Sequence, residues 1–177
     1  MHIETERKFL IKLPGTEMLA SLPGCEVRHI TQTYLMINNV TGEEKRVRRI
    51  EENGKVSFVV TEKKRITAVS RTEHEYEIGE EEYRVLRDTK GATELTKTRY
   101  AFPYEGHTVE IDVYPHEIGG DALDGLAVLE VELGAEDEEF SLPPFITVLK
   151  ELTGTKEFSN KTMAKPRDSY GNNAEKQ

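Results

Sequence analysis

Leu129-Glu130-Val131-Glu132-Leu133 alternates apolar and acidic residues without a break. Successive side chains of a strand leave on opposite faces, so Glu130 and Glu132 share one face while Leu129, Val131 and Leu133 share the other. The pattern recurs upstream. Glu110 and Asp112 are backed by Val109, Ile111 and Val113, Lys97 and Arg99 share a face, and Arg71, Glu73, Glu75 and Glu77 lie on one side. Thr61 and Lys63 lie opposite Phe58 and Val60, Arg46 and Arg48 flank Val47, and Glu4, Glu6 and Lys8 share a face near the start. Period-two segments at 2–12, 31–38, 44–51, 55–64, 71–78, 94–102, 107–114 and 126–134 are therefore predicted strands. Glycine turns such as Glu52-Asn53-Gly54-Lys55 and Tyr104-Glu105-Gly106-His107 join many of them. The chain reads as a large antiparallel sheet, a mainly β member of the α+β class.

Three short helices are predicted beside the sheet. Pro14-Gly15 leads into Thr16-Glu17-Met18-Leu19-Ala20, and the stretch from Gly79 to Lys90 carries Tyr83, Leu86 and Arg87 at helical spacing before Gly91. The third spans Ser141 to Gly154, where prolines at 143 and 144 precede Phe145, Val148, Leu149 and Leu152. From Arg167 the chain turns polar and aperiodic, so 1–166 is predicted as one domain and 167–177 as a disordered tail.

Of the 177 residues 36% are hydrophobic and 32% charged, so charge must fill surfaces, a polar site, or both. The net charge of −9 argues against non-specific binding of a nucleic-acid backbone, which needs a basic field. The first residues lack the regions of a signal peptide, and no apolar run approaches the roughly 20 residues of a membrane span, so the expected location is cytoplasmic. Cys25 has no partner for an intrachain disulfide and reads as a small core residue. His2, His29, His74, His107 and His116 share no spacing that would make them a catalytic set.

A half-exposed sheet normally turns its charged face to water. Here charges of both signs come in pairs on most strands, with few neutral polar residues between them. If the sheet curls with its apolar side outward under helices, the charges line a lumen and no sheet edge is left exposed. Lys8, Arg46, Arg48, Lys63, Lys97 and Arg99 then suit a compact polyanion, because guanidinium forks and ammonium groups both hold phosphate oxygens. Glu4, Glu6, Asp112, Glu130 and Glu132 would repel that anion unless cations intervened, and such hard oxygen ligands favour Mg²⁺ or Mn²⁺. The pattern asks for phosphate and metal together. The basic run continues into Arg49, which leaves open a shifted register with Arg49 inward instead of Arg46.

Glu4-Thr5-Glu6-Arg7-Lys8 has the form ExExK, and is followed in order by Arg46-Val47-Arg48, Thr61-Glu62-Lys63, Arg71 through Glu77, Lys97-Thr98-Arg99, Glu110-Ile111-Asp112 and Leu129 through Leu133. This ordered set, with Phe158-Ser159-Asn160-Lys161 near its end, resembles the CYTH family, the triphosphate tunnel metalloenzymes. The resemblance implies a closed eight-stranded antiparallel β-barrel with a few helices packed outside, and metal-dependent action on triphosphates. It implies Glu4, Glu6, Asp112, Glu130 and Glu132 as ligands of divalent cations, and Lys8, Arg46, Arg48, Lys63, Lys97 and Arg99 as phosphate-binding residues. Glu73 and Glu75 match further tunnel acids. Glu4, Glu6, Lys8, Arg48 and Lys63 are the expected catalytic group. Phe158 stands where the family frequently has a tyrosine.

The expected activity is hydrolysis of inorganic triphosphate, with no nucleophilic side chain required. An adenylyl cyclase or another organic-triphosphate hydrolase is one alternative, although class IV cyclases usually carry a His-Phe element for which Met1-His2-Ile3 leaves no room. A non-catalytic polyphosphate-binding module is another; it would keep the basic positions while losing the acids, and this chain keeps both. The expected partner is a small polyanion, tripolyphosphate or a nucleoside triphosphate, with no nucleic acid or membrane, and the oligomeric state stays open. There is no tryptophan to stack a heterocycle, and Tyr34 and Tyr114 are the aromatic residues whose register suits the lumen.

Overall fold

The computed structural model describes residues 2–167. Its elements run β1 (His2–Lys12), α1 (Thr16–Ser21), β2 (Glu26–Asn38), β3 (Glu43–Glu52), β4 (Lys55–Arg65), β5 (Ser70–Ile78), α2 (Glu80–Arg87), β6 (Thr93–Tyr104), β7 (His107–Val113), α3 (His116–Gly119), a 3-10 turn at Asp121–Leu123, β8 (Leu126–Glu132), β9 (Val148–Glu151), α4 (Asn160–Met163) and β10 (Lys165–Pro166). The predicted strand at 31–38 begins earlier, at Glu26, where its ladder with Ala101 of β6 opens. The stretch 168–177, assigned to a tail, lies outside the described residues; Arg167 is tied to Asp88 at 2.5 Å and to the Arg87 carbonyl at 2.9 Å.

Eight strands close in the order β6-β2-β3-β4-β5-β1-β8-β7, and β7 returns to β6 from Thr98↔Val113 to Tyr104↔His107. Every pairing is antiparallel. Asn53 and Gly54 have φ of 53° and 75°, and Glu105 and Gly106 have 48° and 79°. Two consecutive left-handed residues make the two-residue hairpin whose twist matches that of the strands, which is why Asn-Gly and Glu-Gly stand there.

One predicted helix is absent. Residues 141–154 make a single turn, in which the Ile146 amide donates to the Pro143 carbonyl at 3.0 Å, and then run extended as β9. Adjacent prolines press Leu142 and Pro143 out of the helical region. The free edge of β1 supplies what a helix would have supplied: β5 borders β1 only from His2 to Thr5, and β9 takes over at Phe9–Ile11. Lys12 then donates to the Thr147 carbonyl at 3.0 Å, and the Leu152 amide donates to the Lys8 carbonyl at 2.8 Å.

The apolar backs of the strands face outward and are covered. Phe9, Ile11, Val109, Ile111, Leu129 and Val131 pack with Leu19 of α1 and with Phe140, and the half-buried Cys25 joins them. Val47 and Val60 pack under Tyr83 of α2, whose ring lies 4.7 Å from that of Phe58. At one end the inward row turns apolar. Leu10 and Val128, one step beyond Lys8 and Glu130, meet Leu123, Leu152 and Met163, while Tyr34 and Leu95 meet Ile118. This floor under α3 and α4 leaves the charged part of the lumen above it.

Candidate active site

The charged side chains of alternate strand positions converge on a cavity of about 350 Å³ inside the barrel. Glu4, Glu6 and Lys8 reach it from β1, Arg46 and Arg48 from β3, Lys63 from β4, and Glu73 and Glu75 from β5. Arg99 comes from β6, and Glu130 and Glu132 from β8. The register question closes in favour of Arg46: Arg49 points outside, where its guanidinium meets Glu51 at 3.2 Å.

Two expected residues stand behind the lining. Lys97 is 3% exposed and Asp112 only 1%; Lys97 Nζ lies 2.8 Å from Asp112 Oδ2. Arg99 forks onto the same carboxylate, Nε to Oδ1 at 2.7 Å and Nη2 to Oδ2 at 2.9 Å, so both Asp112 oxygens are held by cations. Glu110, two residues earlier on the same face, does line the lumen and receives Arg99 Nη1 at 2.7 Å. Glu44, Arg28 and Lys161 also line it and were not among the expected site residues. Glu44 was within reach of the two-residue rule, since it shares a strand face with Arg46; Arg28 precedes the predicted start of its strand.

The lining cations and acids hold one another. Lys63 Nζ sits between Glu4 at 2.7 Å and Glu73 at 3.2 Å, Arg48 meets Glu75 at 2.8 Å, Arg46 meets Glu44 at 3.5 Å, and Lys8 meets Glu130 at 3.6 Å. The pairs do not satisfy every group. Among the described residues, the Nε–H groups of Arg46 and Arg48 are buried without an acceptor. An unmet buried donor costs on the order of 1–3 kcal/mol, more when charged, which an incoming oxyanion would relieve.

Electrostatics separates the acids. Burial pushes the Glu6 carboxyl up to about 8, and the neighbouring Glu130 and Glu4 add to the rise. Burial would raise Glu4 too, but the ammonium of Lys63, with Arg46 and Arg71, holds it at about 2. Glu110 is pushed up to about 7 by burial, with Glu130 and Asp112 adding to the rise against the pull of Arg99. Burial, then crowding by Arg46, lowers Arg48 to about 10.

This donor set fits a divalent cation. Glu6 lies across from Glu132 in the β1–β8 ladder, next to Lys8↔Glu130, and burial, with Glu130 and Glu4 adding to it, raises its carboxyl, which a bound cation would offset. Among the described residues no three His, Cys, Asp or Glu side chains already form a metal cage.

The CYTH domain description matches residues 2–166. The chain belongs to the CYTH family. An inorganic triphosphatase of Acetivibrio thermocellus is 31% identical over 163 residues, covering 92% of this chain and 93% of that protein. The crystal structure of an inorganic triphosphatase is similar at 27% identity and a TM-score of 0.55, over 91% of this chain and 97% of that one. A conserved hypothetical protein from Pyrococcus furiosus shares the fold at 20% identity and a TM-score of 0.56, over 76% of this chain and 80% of that one. Among the described residues no helix of this CYTH protein is long and apolar enough to cross a membrane.

Proposed function

We propose that this CYTH protein hydrolyses inorganic triphosphate, splitting tripolyphosphate into diphosphate and orthophosphate. The observation that carries the reading is the pair of buried guanidinium Nε–H groups of Arg46 and Arg48, acceptorless among the described residues, set in a lumen where Lys8, Lys63 and Arg99 are held by exchangeable carboxylates. The relative named an inorganic triphosphatase supports it.

The ion pairs act as place-holders. A triphosphate draws Lys8, Arg46, Arg48, Lys63 and Arg99 onto its oxygens, and Glu4 and Glu130, released by Lys63 and Lys8, would join Glu6 and Glu132 in holding a divalent cation. When bound, Mg²⁺ or Mn²⁺ would neutralise phosphate charge and acidify a coordinated water. Attack of a water oxygen on a terminal phosphorus breaks its bridging P–O bond, and the departing diphosphate carries the extra negative charge. Lys63 and the guanidinium groups, already desolvated and fixed, stabilise that charge with little reorganisation. Lys97 and Asp112 act one step back, holding Arg99 in position.

Tyr34 is the one aromatic ring among the lining residues, and it is buried with its hydroxyl bonded to Gln32 Nε2 at 2.5 Å, so it offers no stacking platform. Tyr114 directs its hydroxyl to Asn160 Oδ1 at 2.5 Å. A lumen that addresses phosphates alone favours tripolyphosphate over ATP or thiamine triphosphate. The proposed tunnel domain is 1–166 with a polar tail after it, and a soluble substrate of this kind suits a cytoplasmic setting. The test is orthophosphate release from tripolyphosphate, ATP and thiamine triphosphate with Mg²⁺, Mn²⁺ or EDTA. Release from tripolyphosphate that EDTA stops supports the reading. Binding without release would make the protein a polyphosphate-binding module, and cyclic AMP from ATP would make it a cyclase.

A further inference from the structure

Beside β1 the lumen extends into a side cleft. On one edge of β1 the ladder to β5 ends at Thr5↔Ser70 and the ladder to β9 begins at Phe9↔Glu151. Beside this stretch, which backbone bonds from Glu6 to Val69 and from Leu152 to Lys8 keep tied, a cleft of about 360 Å³ continues into the lumen, sharing Glu6, Lys8, Glu44, Lys63, Arg71 and Lys161 with it. Its outer walls carry Arg65, at the end of β4, and Lys156, in the loop after β9.

Two close approaches build this cleft. A Cβ on Gly42 would lie 2.5 Å from the Cβ of Arg65, and one on Gly154 would lie 3.4 Å from the Cβ of Ala68; the two glycines have φ of +71° and +76°. Only glycine at 42 lets the β2–β3 turn close on Arg65, whose amide donates to the Gly42 carbonyl at 3.3 Å. The root of the Arg65 side chain is thereby fixed at the rim.

The cations of the cleft, Lys8, Lys63, Arg65, Arg71, Lys156 and Lys161, outnumber its two acids, Glu6 and Glu44, in a chain of net −9. Arg71 meets an acid only at 3.9 Å, at Glu6, and Arg65, Lys156 and Lys161 have no ion pair among the described residues. The acid that would be nearest in sequence to Lys156, Glu157, is taken by Lys150 at 2.6 Å. Lys161 is held below its ordinary range, first by burial and then by Arg65, Arg71 and Lys156 against the pull of Glu44, so these cations are near enough to repel one another. A surplus of like charge around open space makes an anion site.

We propose that this side cleft is a second phosphate subsite, contiguous with the tunnel, in which Arg65 and Lys156 at the rim and Arg71 and Lys161 behind them hold one tetrahedral phosphate group. The proposal takes its ligand class from the triphosphatase reading. The group comes either from orthophosphate leaving the lumen or from the end unit of a chain longer than three phosphates.

The test is calorimetric titration in EDTA of the wild type, the single variant Lys156→Gln and the double variant Arg65→Gln/Lys156→Gln with orthophosphate, tripolyphosphate and tetrapolyphosphate. The expected result for the double variant is an affinity lower by about tenfold for orthophosphate or tetrapolyphosphate, with tripolyphosphate changed less than about twofold. The single variant falls between. A loss for orthophosphate alone assigns the cleft to released product, and one for tetrapolyphosphate alone assigns it to the chain end. Unchanged affinities for all three overturn the proposal, and so does an equal loss for all three in a variant that melts at the wild-type temperature, since that is a general field and no subsite. The titration contains no metal and reads the cleft independently of turnover. A protein that released no phosphate from any triphosphate would therefore sink the triphosphatase reading and leave the subsite to be judged on its own result.

Discussion

Replacing Glu6 by glutamine should stabilise the metal-free protein while abolishing turnover. Glu6 is 8% exposed and faces Glu130 and Glu4, with Lys63 and Arg71 as the nearer cations, and its carboxyl stands at about 8 against an ordinary 4.5. A group whose pKa is raised on folding contributes stability below its unfolded pKa and loses it as pH climbs through its folded pKa. Relative to pH 4 the wild type gives up roughly 3 kcal/mol at pH 7 and roughly 5 kcal/mol at pH 9, above both limits. A glutamine carries no such dependence. In EDTA, E6Q should melt with the wild type near pH 4 and about 10 °C above it at pH 9, for a chain of this size. Saturating Mg²⁺ should narrow the gap, because a cation replaces the proton only in the wild type. The assay is thermal unfolding by circular dichroism from pH 4 to 9. A variant that melts below the wild type at pH 9, or a gap that ignores pH, refutes the crowding argument and makes Glu6 a structural residue.

Lys63→Ala and Arg48→Ala should each weaken triphosphate binding by roughly 10- to 100-fold and flatten its salt dependence, since each removes a charge-assisted phosphate contact; calorimetry at several ionic strengths checks this, and unchanged affinity would mean the side chains do not meet substrate. Tripolyphosphate should have a higher kcat/KM than ATP or thiamine triphosphate with both Mg²⁺ and Mn²⁺, and the reverse order under both metals would remove the assignment to inorganic triphosphate. Leu152→Ala should lower stability by about 3 kcal/mol, because Leu152 is 1% exposed against Leu10, Leu123 and Val128; urea unfolding measures it, and a loss under about 0.5 kcal/mol would mean the barrel floor is loosely packed.

The barrel was legible because its strands alternate strictly, and a strand with Glu110 and Asp112 before Val109, Ile111 and Val113 has only one apolar face to cover. What alternation does not carry is depth along the tunnel axis. Lys97 and Arg99 share a face, as do Glu110 and Asp112, yet Lys97 and Asp112 sit deep and closed off while Arg99 and Glu110 meet the cavity. The segment 141–154 was misread for a related reason. Phe145, Val148, Leu149 and Leu152 have helical spacing, but a vacant ladder on β1 outweighed it, and a vacancy between strands far apart in sequence leaves no local trace. The register at Arg46 and Arg49 became definite only when Tyr34↔Arg46 and Arg46↔Thr61 were paired.

The position of β1 in the ring governs how the chain can be made. Its partners are β5, about 65 residues on, and β8, about 125 residues on, so β1 finds its second neighbour only after more than a hundred further residues have left the ribosome. Until then β2 to β5 can zip as successive hairpins, whereas Phe9, Leu10 and Ile11 trail exposed beside an unfinished sheet. Such a topology delays closure and leaves β1 of the nascent chain open to aggregation while it waits. The acidic and basic groups preceding those three residues keep that segment wetted during the wait, so the charges that serve the finished interior also serve the chain before an interior exists.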